Sequence, residues 1–425
     1  MSTDASPVSV TPHSTARAYA PERVAERSAL RLYAPEFAAD PHRAYEELRQ
    51  YSPAVPVEVA AGVPAMLVLD YRQALRILGD PDHFPADHRA WRTTIPDQCP
   101  VLPMMEWGPA SDDSDDSARA RSAYTAAMES IDLHALRAAV EAAAVPLINA
   151  FCESGSADLL GQYARPLTEQ VLHDLLGLPS EIRDLVHAAM SALNVTTDPE
   201  SSDLNEQIFR NVVTQAVTAK RHAPAQDAIS QLLTHQAGFD DSEVVELILQ
   251  LYAMGSEPTW NLIVNTLLLM ATDAGFHDGL VSGAIQVRDA IDEVLFTDPP
   301  VQNGCPRYPR QPQIIGNVWL PVNQPVLISL TACNNDPAIS GDRAGNRAHL
   351  AWGAGPHSCP AQSVAILIVQ EAIDQLLDAL PEIALAVPIE ELSWHPSTFH
   401  RAPVAIPVTF PPAPPLTFLQ GANNR

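Results

Sequence analysis

The chain has 425 residues, which exceeds the usual size of one simple hydrophobic core and predicts either two domains or one large domain built around a cofactor. Lys and Arg total 25 against 51 Asp and Glu, a formal net charge of −26. This charge argues against a nucleic-acid partner or an anionic membrane surface, because phosphate groups select basic patches. The five cysteines are scattered and form no CxxC pair, so neither a disulfide framework nor a zinc site is expected.

The amino-terminal segment is polar and contains prolines, and we interpret residues 1–25 as a disordered lead. This segment lacks the basic start and the apolar core of a signal peptide. No apolar stretch of the chain approaches the length needed to cross a bilayer. We therefore expect a cytoplasmic protein without a membrane partner.

The first third of the chain predicts a helix, a pair of strands and a second helix. Residues 42–51 have a helical pattern, and residues 56–70 read as two strands joined at Gly62. Residues 71–80 follow as a helix. Residues 83–110 are rich in proline and aromatics without periodicity, which is typical of a binding loop or a lid.

The rest of the chain is dominated by helical patterns. Residues 111–128 change from an acidic run to a helix, and amphipathic helices follow over 132–192. A helix over about 241–274 is apolar on most faces and is predicted to run through the centre of the protein. The carboxyl-terminal third mixes short strands with another apolar helix, over 361–380. The predicted fold class is mainly α with small β-sheets.

The stretch HLAWGAGPHSCPAQS around Cys359 has the features that a metal-bound thiolate needs. Gly353 and Gly355 allow a tight turn without side chains that would block a flat ligand. Cys359 precedes a long apolar helix, where free N–H groups and the helix dipole favour an anion. Trp352 offers a planar wall, and His357 offers a donor to an acidic group. These are the requirements of haem–thiolate ligation.

This loop resembles the haem-binding signature of the cytochromes P450, FGxGxHxCxG. Trp352 takes the place of the Phe and Ala361 that of the last Gly, so the haem loop spans 352–361. The resemblance extends over nearly the whole chain. It implies the cytochrome P450 fold as a single domain over 26–425, with haem b as cofactor and Cys359 as the ligand of its iron.

The same resemblance assigns further positions. The segment ARARSAYTAAM resembles a helix that carries a propionate-binding arginine, which is Arg121 here, and RYPRQPQIIG places Arg307 at the position of a second one. Buried haem carboxylates need such cations. The segments 83–110 and 195–225 would line the substrate pocket.

The chain departs from the family pattern at its ExxR motif. It reads Glu-Val-Leu-Phe, so that Glu293 is retained and Phe296 replaces the arginine. Loss of one member of a buried ion pair typically costs about 3–5 kcal/mol. We therefore hypothesise that Glu293 has another partner, either Arg343 or Arg347.

A second departure lies in the central helix, where the family has a pattern like AGxET and this chain reads MGSEPT. Glu257 retains the acid, but Pro258 replaces the alcohol and removes a helical hydrogen bond. We expect Glu257 and Thr259 to be catalytic, with Ser256 as the alternative source of a hydroxyl.

These observations predict a haem–thiolate monooxygenase with atypical oxygen activation. The expected substrate is a small hydrophobic molecule or secondary metabolite, and the electrons would come from a ferredoxin and its NAD(P)H-dependent reductase. One alternative is a peroxide-driven or non-oxygenating haem–thiolate enzyme. Another is a haem-free helper protein that activates a partner enzyme. The intact cysteine loop favours the haem enzymes, while Phe296 leaves the helper protein open.

Overall fold

The computed structural model describes residues 29–96, 98–106, 115–179, 199–281, 283–339, 341, 343 and 345–417. The predicted lead at 1–25 lies outside these residues, as do parts of the two segments assigned to the substrate pocket. Within the described part of the chain, no helix is long and apolar enough to cross a membrane.

The described residues are mainly helical, as predicted. The α-helices are α1 (Pro35–Ala39), α2 (Pro41–Arg49), α3 (Tyr71–Leu78), α4 (Arg89–Arg92), α5 (Leu102–Glu106), α6 (Asp115–Glu129), α7 (Leu133–Asn149), α8 (Arg165–Leu176), α9 (Pro199–His222), α10 (Ala228–Thr234), α11 (Asp241–Thr272), α12 (Ala274–Val281), α13 (Val287–Thr297), α14 (Leu330–Asn334) and α15 (Gln362–Ala379). The predicted helices at 42–51, 71–80, 111–128, 241–274 and 361–380 correspond to α2, α3, α6, α11 and α15.

Helix α11 forms the centre of the molecule. A capping box starts it, since the Asp240 carboxylate accepts from the N–H of Glu243 at 2.9 Å and the Glu243 carboxylate accepts from the N–H of Asp240 at 2.9 Å. It packs against α8, α9, α13 and α15, and most of its side chains from Val244 to Met270 are buried. The helix continues through Pro258, so the lost hydrogen bond does not end it.

The strands form three small sheets. They are β1 (Leu30–Arg31), β2 (Ala54–Ala60), β3 (Val63–Val68), β4 (Ser156–Asp158), β5 (Asn303–Arg307), β6 (Gln313–Ile315), β7 (Val318–Leu320), β8 (Val326–Ser329), β9 (Ala384–Leu385) and β10 (Pro407–Thr409). The largest sheet has the order β1-β2-β3-β8-β5, and the others have the orders β4-β10-β9 and β6-β7. The predicted pair joined at Gly62 is β2 and β3. Strand β8 pairs parallel to β3 and antiparallel to β5.

The cysteine loop is tied to the helices through the buried side chain of Asn334. Its amide nitrogen donates to the carbonyl of Leu295 at the end of α13, at 3.0 Å. Its amide oxygen accepts from the N–H of Leu350 at 2.7 Å. The carbonyl of Leu350 in turn accepts from the N–H of Gly353 at 2.8 Å. The end of α13 therefore fixes the start of the loop.

Candidate functional site

The loop that ends at Cys359 is a compact turn. The N–H of Cys359 donates to the carbonyl of Trp352 at 2.7 Å, which closes the loop. Gly353 and Gly355 have φ values of 68° and 69°, in the left-handed region that favours glycine. A Cβ at Gly355 would lie 2.3 Å from the carbonyl oxygen of Leu78 at the end of α3. Gly355 therefore allows the loop to pack against α3, a reason for the glycine that the sequence did not show.

The Cys359 thiol is half-buried and lies just before α15. Burial raises its pKa, while a hydrogen bond from the N–H of Ala361 and the charge of Arg121 act in the opposite direction. Since α15 begins at Gln362, the N–H that reaches the sulfur belongs to the residue that caps the helix. A bound metal ion would add a strong charge and deprotonate the thiol.

The two arginines assigned by resemblance lie around this loop. Arg121 on α6 is half-buried and donates from Nη2 to the carbonyl of Ser358, next to Cys359. Arg307 ends β5, is 3% exposed and donates from Nη1 to the carbonyl of Pro306 at 2.9 Å. The charge of Arg121 acts to lower the pKa of the Cys359 thiol, and the charge of Arg307 acts to lower that of the Cys305 thiol. One half-buried and one buried cation close to this loop suit a dianionic ligand.

The sequence analysis did not single out Cys305, which lies two residues before Arg307. Its Sγ lies 3.4 Å from the position that a Cβ on Gly353 would take, so the strand and the loop are in close contact. Its φ is 50°, which is rare for a residue with a side chain. Burial raises the pKa of the Cys305 thiol. A backbone angle cannot be read from the sequence, so nothing in the sequence pointed to Cys305.

The carboxylate of Glu257 has a partner that the sequence did not suggest. Its Oε1 lies 3.2 Å from Nδ1 of His400, with the side chains 30% and 11% exposed. Burial acts to raise the pKa of Glu257, but the charges of His400, Arg165 and His395 hold it below its usual value. Glu257 is therefore an ionised acid within a largely buried ion pair.

Both candidate hydroxyls on this turn are bonded to the helix. Thr259 donates from Oγ1 to the carbonyl of Gly255 at 2.6 Å, and Ser256 donates to the carbonyl of Ala253 at 3.5 Å. Both side chains are buried. The proton of each hydroxyl is therefore committed within α11. On the same turn Met254 is 42% exposed, so one face of this central helix stays accessible.

Glu293 is paired with Arg343. The distance from Nη1 to Oε1 is 2.9 Å, and Nη2 donates to the Asn335 side chain at 3.0 Å. The guanidinium also lies 5.3 Å from the ring centroid of Phe296, the residue that replaces the family arginine. Arg347 bonds instead to Asp292 at 3.0 Å. Of the two arginines in the hypothesis, the structure pairs Arg343 with Glu293.

The donor set fits a haem. Haem iron takes one axial ligand from the protein and needs cations for its two propionates. Cys359, Arg121 and Arg307 supply these groups, and Trp352 and His357 are half-buried in the same loop. Within the described residues no group of three His, Cys, Asp or Glu side chains is arranged to hold a metal ion by itself.

Sequence and structure comparisons point to one family, although no protein-family model matches the chain. The cytochrome P450 monooxygenase PikC of Streptomyces venezuelae is 26% identical, with 88% of this chain and 91% of that protein covered. The mycinamicin IV hydroxylase/epoxidase of Micromonospora griseorubida is 28% identical, with 86% and 94% covered. Ligand-bound CYP154C4 from a Streptomyces species superposes with a TM-score of 0.83 at 25% identity, over 92% of this chain and 100% of that one. CYP154A1 from Streptomyces coelicolor gives 0.77 at 26% identity, over 90% and 100%.

The curated relatives and the solved structures that this chain resembles over most of its length are bacterial cytochromes P450. The predicted fold class is thereby confirmed, and the enzyme is of the P450 monooxygenase type. Haem b is the cofactor of this family.

Proposed function

We propose that this P450 is a haem–thiolate monooxygenase that acts on a small hydrophobic substrate or secondary metabolite. The observation that carries the proposal is the Cys359 loop, with Arg121 and Arg307 placed around it. Cys359 would bind the iron and the two arginines the propionates, with Trp352 and His357 beside the ring. A bound haem supplies the oxygen-activating chemistry.

The substrate class is supported by the relatives and by the accessible face of α11. The relative from Micromonospora griseorubida is named as a hydroxylase/epoxidase of mycinamicin IV. Met254 on α11 is 42% exposed, so this turn offers an apolar side chain to a bound molecule. We propose a ferredoxin and its NAD(P)H-dependent reductase as the source of electrons.

We further propose that oxygen activation is atypical. Pro258 has no hydroxyl, and the hydroxyls of Thr259 and Ser256 donate to carbonyls of their own helix. Glu257 remains the acid of this turn and is ionised. If hydrogen peroxide sustains turnover and the ferredoxin system does not, the enzyme is peroxide-driven.

The test is the absorption spectrum of the purified protein, reduced and exposed to carbon monoxide. We expect the red-shifted carbonyl band of thiolate-ligated haem in the wild type. Cys359→Ser should abolish this band, whereas Cys305→Ser, a matched change of the neighbouring thiol, should retain it. A folded wild-type protein that binds no haem would refute the proposal and favour the helper protein. Loss of the band in Cys305→Ser alone would refute the assignment of the ligand.

A further inference from the structure

The ion pair between Glu257 and His400 joins two distant parts of the chain. Glu257 lies on α11, and His400 lies on the segment between β9 and β10. Nδ1 of His400 is 3.2 Å from Oε1 of Glu257, and the imidazole is only 11% exposed. At this distance the two groups share a hydrogen bond, and they carry opposite charges when the imidazole is protonated.

The imidazole is held in place through its backbone. The N–H of His400 donates to the Ser397 hydroxyl at 3.0 Å, and its carbonyl accepts from the side-chain amide of Gln302 at 3.0 Å. His400 also forms an isolated antiparallel bridge with Val301. Since Gln302 directly precedes β5, the strand that ends at Arg307 also fixes the position of His400.

The turn of α11 around Glu257 has no uncommitted hydroxyl proton to offer. Proline occupies position 258, and the protons of Ser256 and Thr259 go to carbonyls of Ala253 and Gly255. The His400 ring, by contrast, presents a titratable N–H directly to the carboxylate.

We propose that His400 positions Glu257 and exchanges a proton with it, so that the pair replaces the missing hydroxyl at position 258 as a proton relay. This inference rests on the proposed function. In the relay the proton leaves Nδ1 of His400 and arrives on Oε1 of Glu257, which leaves the imidazole neutral. Glu257 then gives this proton to the reaction that consumes it and returns to a carboxylate, and a proton from the solvent restores the imidazolium. His400 is thus a positioning residue that acts through Glu257.

The charges around the pair support two ionised partners. Burial lowers the pKa of His400, but the charge and the hydrogen bond of Glu257 outweigh it and raise that pKa above its ordinary 6.5. Glu257 titrates below its ordinary 4.5 because Arg165 on α8 and His395 add their charges to that of His400. The pair therefore stabilises the fold most between pH 4.5 and 6.5. The stabilisation by the pair decreases when the pH rises through the raised pKa of His400. It also decreases when the pH falls through the lowered pKa of Glu257.

The experiment compares the full-length holoenzyme with three variants. They are His400→Asn, Glu257→Gln and, as a matched control, His395→Asn, which removes an exposed histidine of the same segment. For each, we would record the reduced carbon monoxide band, the titration of the imidazole protons by NMR, and the pH profile of substrate-free NADPH oxidation with a surrogate ferredoxin and its reductase.

We expect one imidazole of the wild type to titrate above pH 6.5, to be missing in His400→Asn and to titrate lower in Glu257→Gln. His400→Asn should keep the carbonyl band but oxidise NADPH about tenfold more slowly or worse, and it should lose the inflection that His400 gives to the pH profile. His395→Asn should stay within about twofold of the wild type, since a weak charge effect is all that it removes.

Two results would overturn the relay. One is a His400→Asn holoenzyme with the wild-type rate and pH profile; the other is a His400 titration that Glu257→Gln leaves unchanged. If His400→Asn does not fold, the titrations of the wild type and Glu257→Gln decide alone. A wild-type protein without the carbonyl band would instead refute the proposed function and the relay with it.

Discussion

Removal of the Arg343 side chain tests whether this residue has taken over the role of the missing ExxR arginine. Arg343→Ala deletes the 2.9 Å bond to Glu293, the 3.0 Å bond to Asn335 and the contact with the Phe296 ring. It also leaves the carboxylate of Glu293, which is 23% exposed, without this cation. The matched control is Arg347→Ala.

The structure sets the expected size of the effect. A hydrogen bond to a charged group contributes about 1.5–3 kcal/mol when buried, and the cation–π contact adds about 0.5–1 kcal/mol. Since Arg343 is 30% exposed, solvent screens part of the ion pair, and we expect a loss of about 2–3 kcal/mol in the free energy of unfolding. Arg347 is 60% exposed, and its partner Asp292 keeps Arg288 at 2.9 Å, so the control should lose less than about 1 kcal/mol.

Urea unfolding of both variants, followed by far-ultraviolet circular dichroism, measures these losses. Glu293→Gln and the double variant complete a mutant cycle, which should give a coupling of about 1–2 kcal/mol between Arg343 and Glu293. Equal losses for Arg343→Ala and Arg347→Ala, or a coupling near zero, would show that Arg343 is not the partner that stabilises Glu293.

Three further changes probe the loop and its surroundings. Gly355→Ala should lower the free energy of unfolding by about 3 kcal/mol in thermal unfolding and weaken the carbonyl band, because the new Cβ would lie 2.3 Å from the Leu78 carbonyl oxygen. The control Gly345→Ala has a similar φ of 68° but a Cβ with no atom within 4 Å, and should lower that free energy by about 1 kcal/mol. Burial lowers the pKa of His349 to about 4, so the free energy of unfolding of the wild type should fall by about 2–3 kcal/mol as the pH drops from 6.5 to 4. His349→Asn should lose that part of the pH dependence. A variant with the same pH profile as the wild type would contradict this assignment. Arg307→Gln should weaken haem retention about tenfold in a transfer assay to apomyoglobin, while the exposed Arg310→Gln should not; equal retention would argue against a propionate contact.

Much of the fold could be predicted from the sequence, because helix periodicity and loop spacing depend on residues that are close together in the chain. The apolar periodicity of 241–274 predicts α11 to within two residues at its end, and the loop spacing predicts a structured turn at Cys359. The sequence limited the possible partners of Glu293 to two arginines, but only the tertiary structure distinguishes between them. His400 could not be found from the sequence, because its contact with Glu257 depends on where the chain returns beside β5.

The two departures from the family pattern share one feature, since in each of them the retained acidic side chain is paired with a residue from a distant segment. Arg343 pairs with Glu293 and lies against Phe296, and His400 pairs with Glu257. Because of this arrangement, the arginine that the family has at position 296 would not fit this protein well. An arginine at position 296 would take the place of a ring that is 4% exposed and would be buried beside the guanidinium of Arg343, with one carboxylate between two cations. We therefore expect Phe296→Arg to lower the thermal stability rather than raise it, and a stabilised variant would show that Arg343 does not fill the role of the lost arginine.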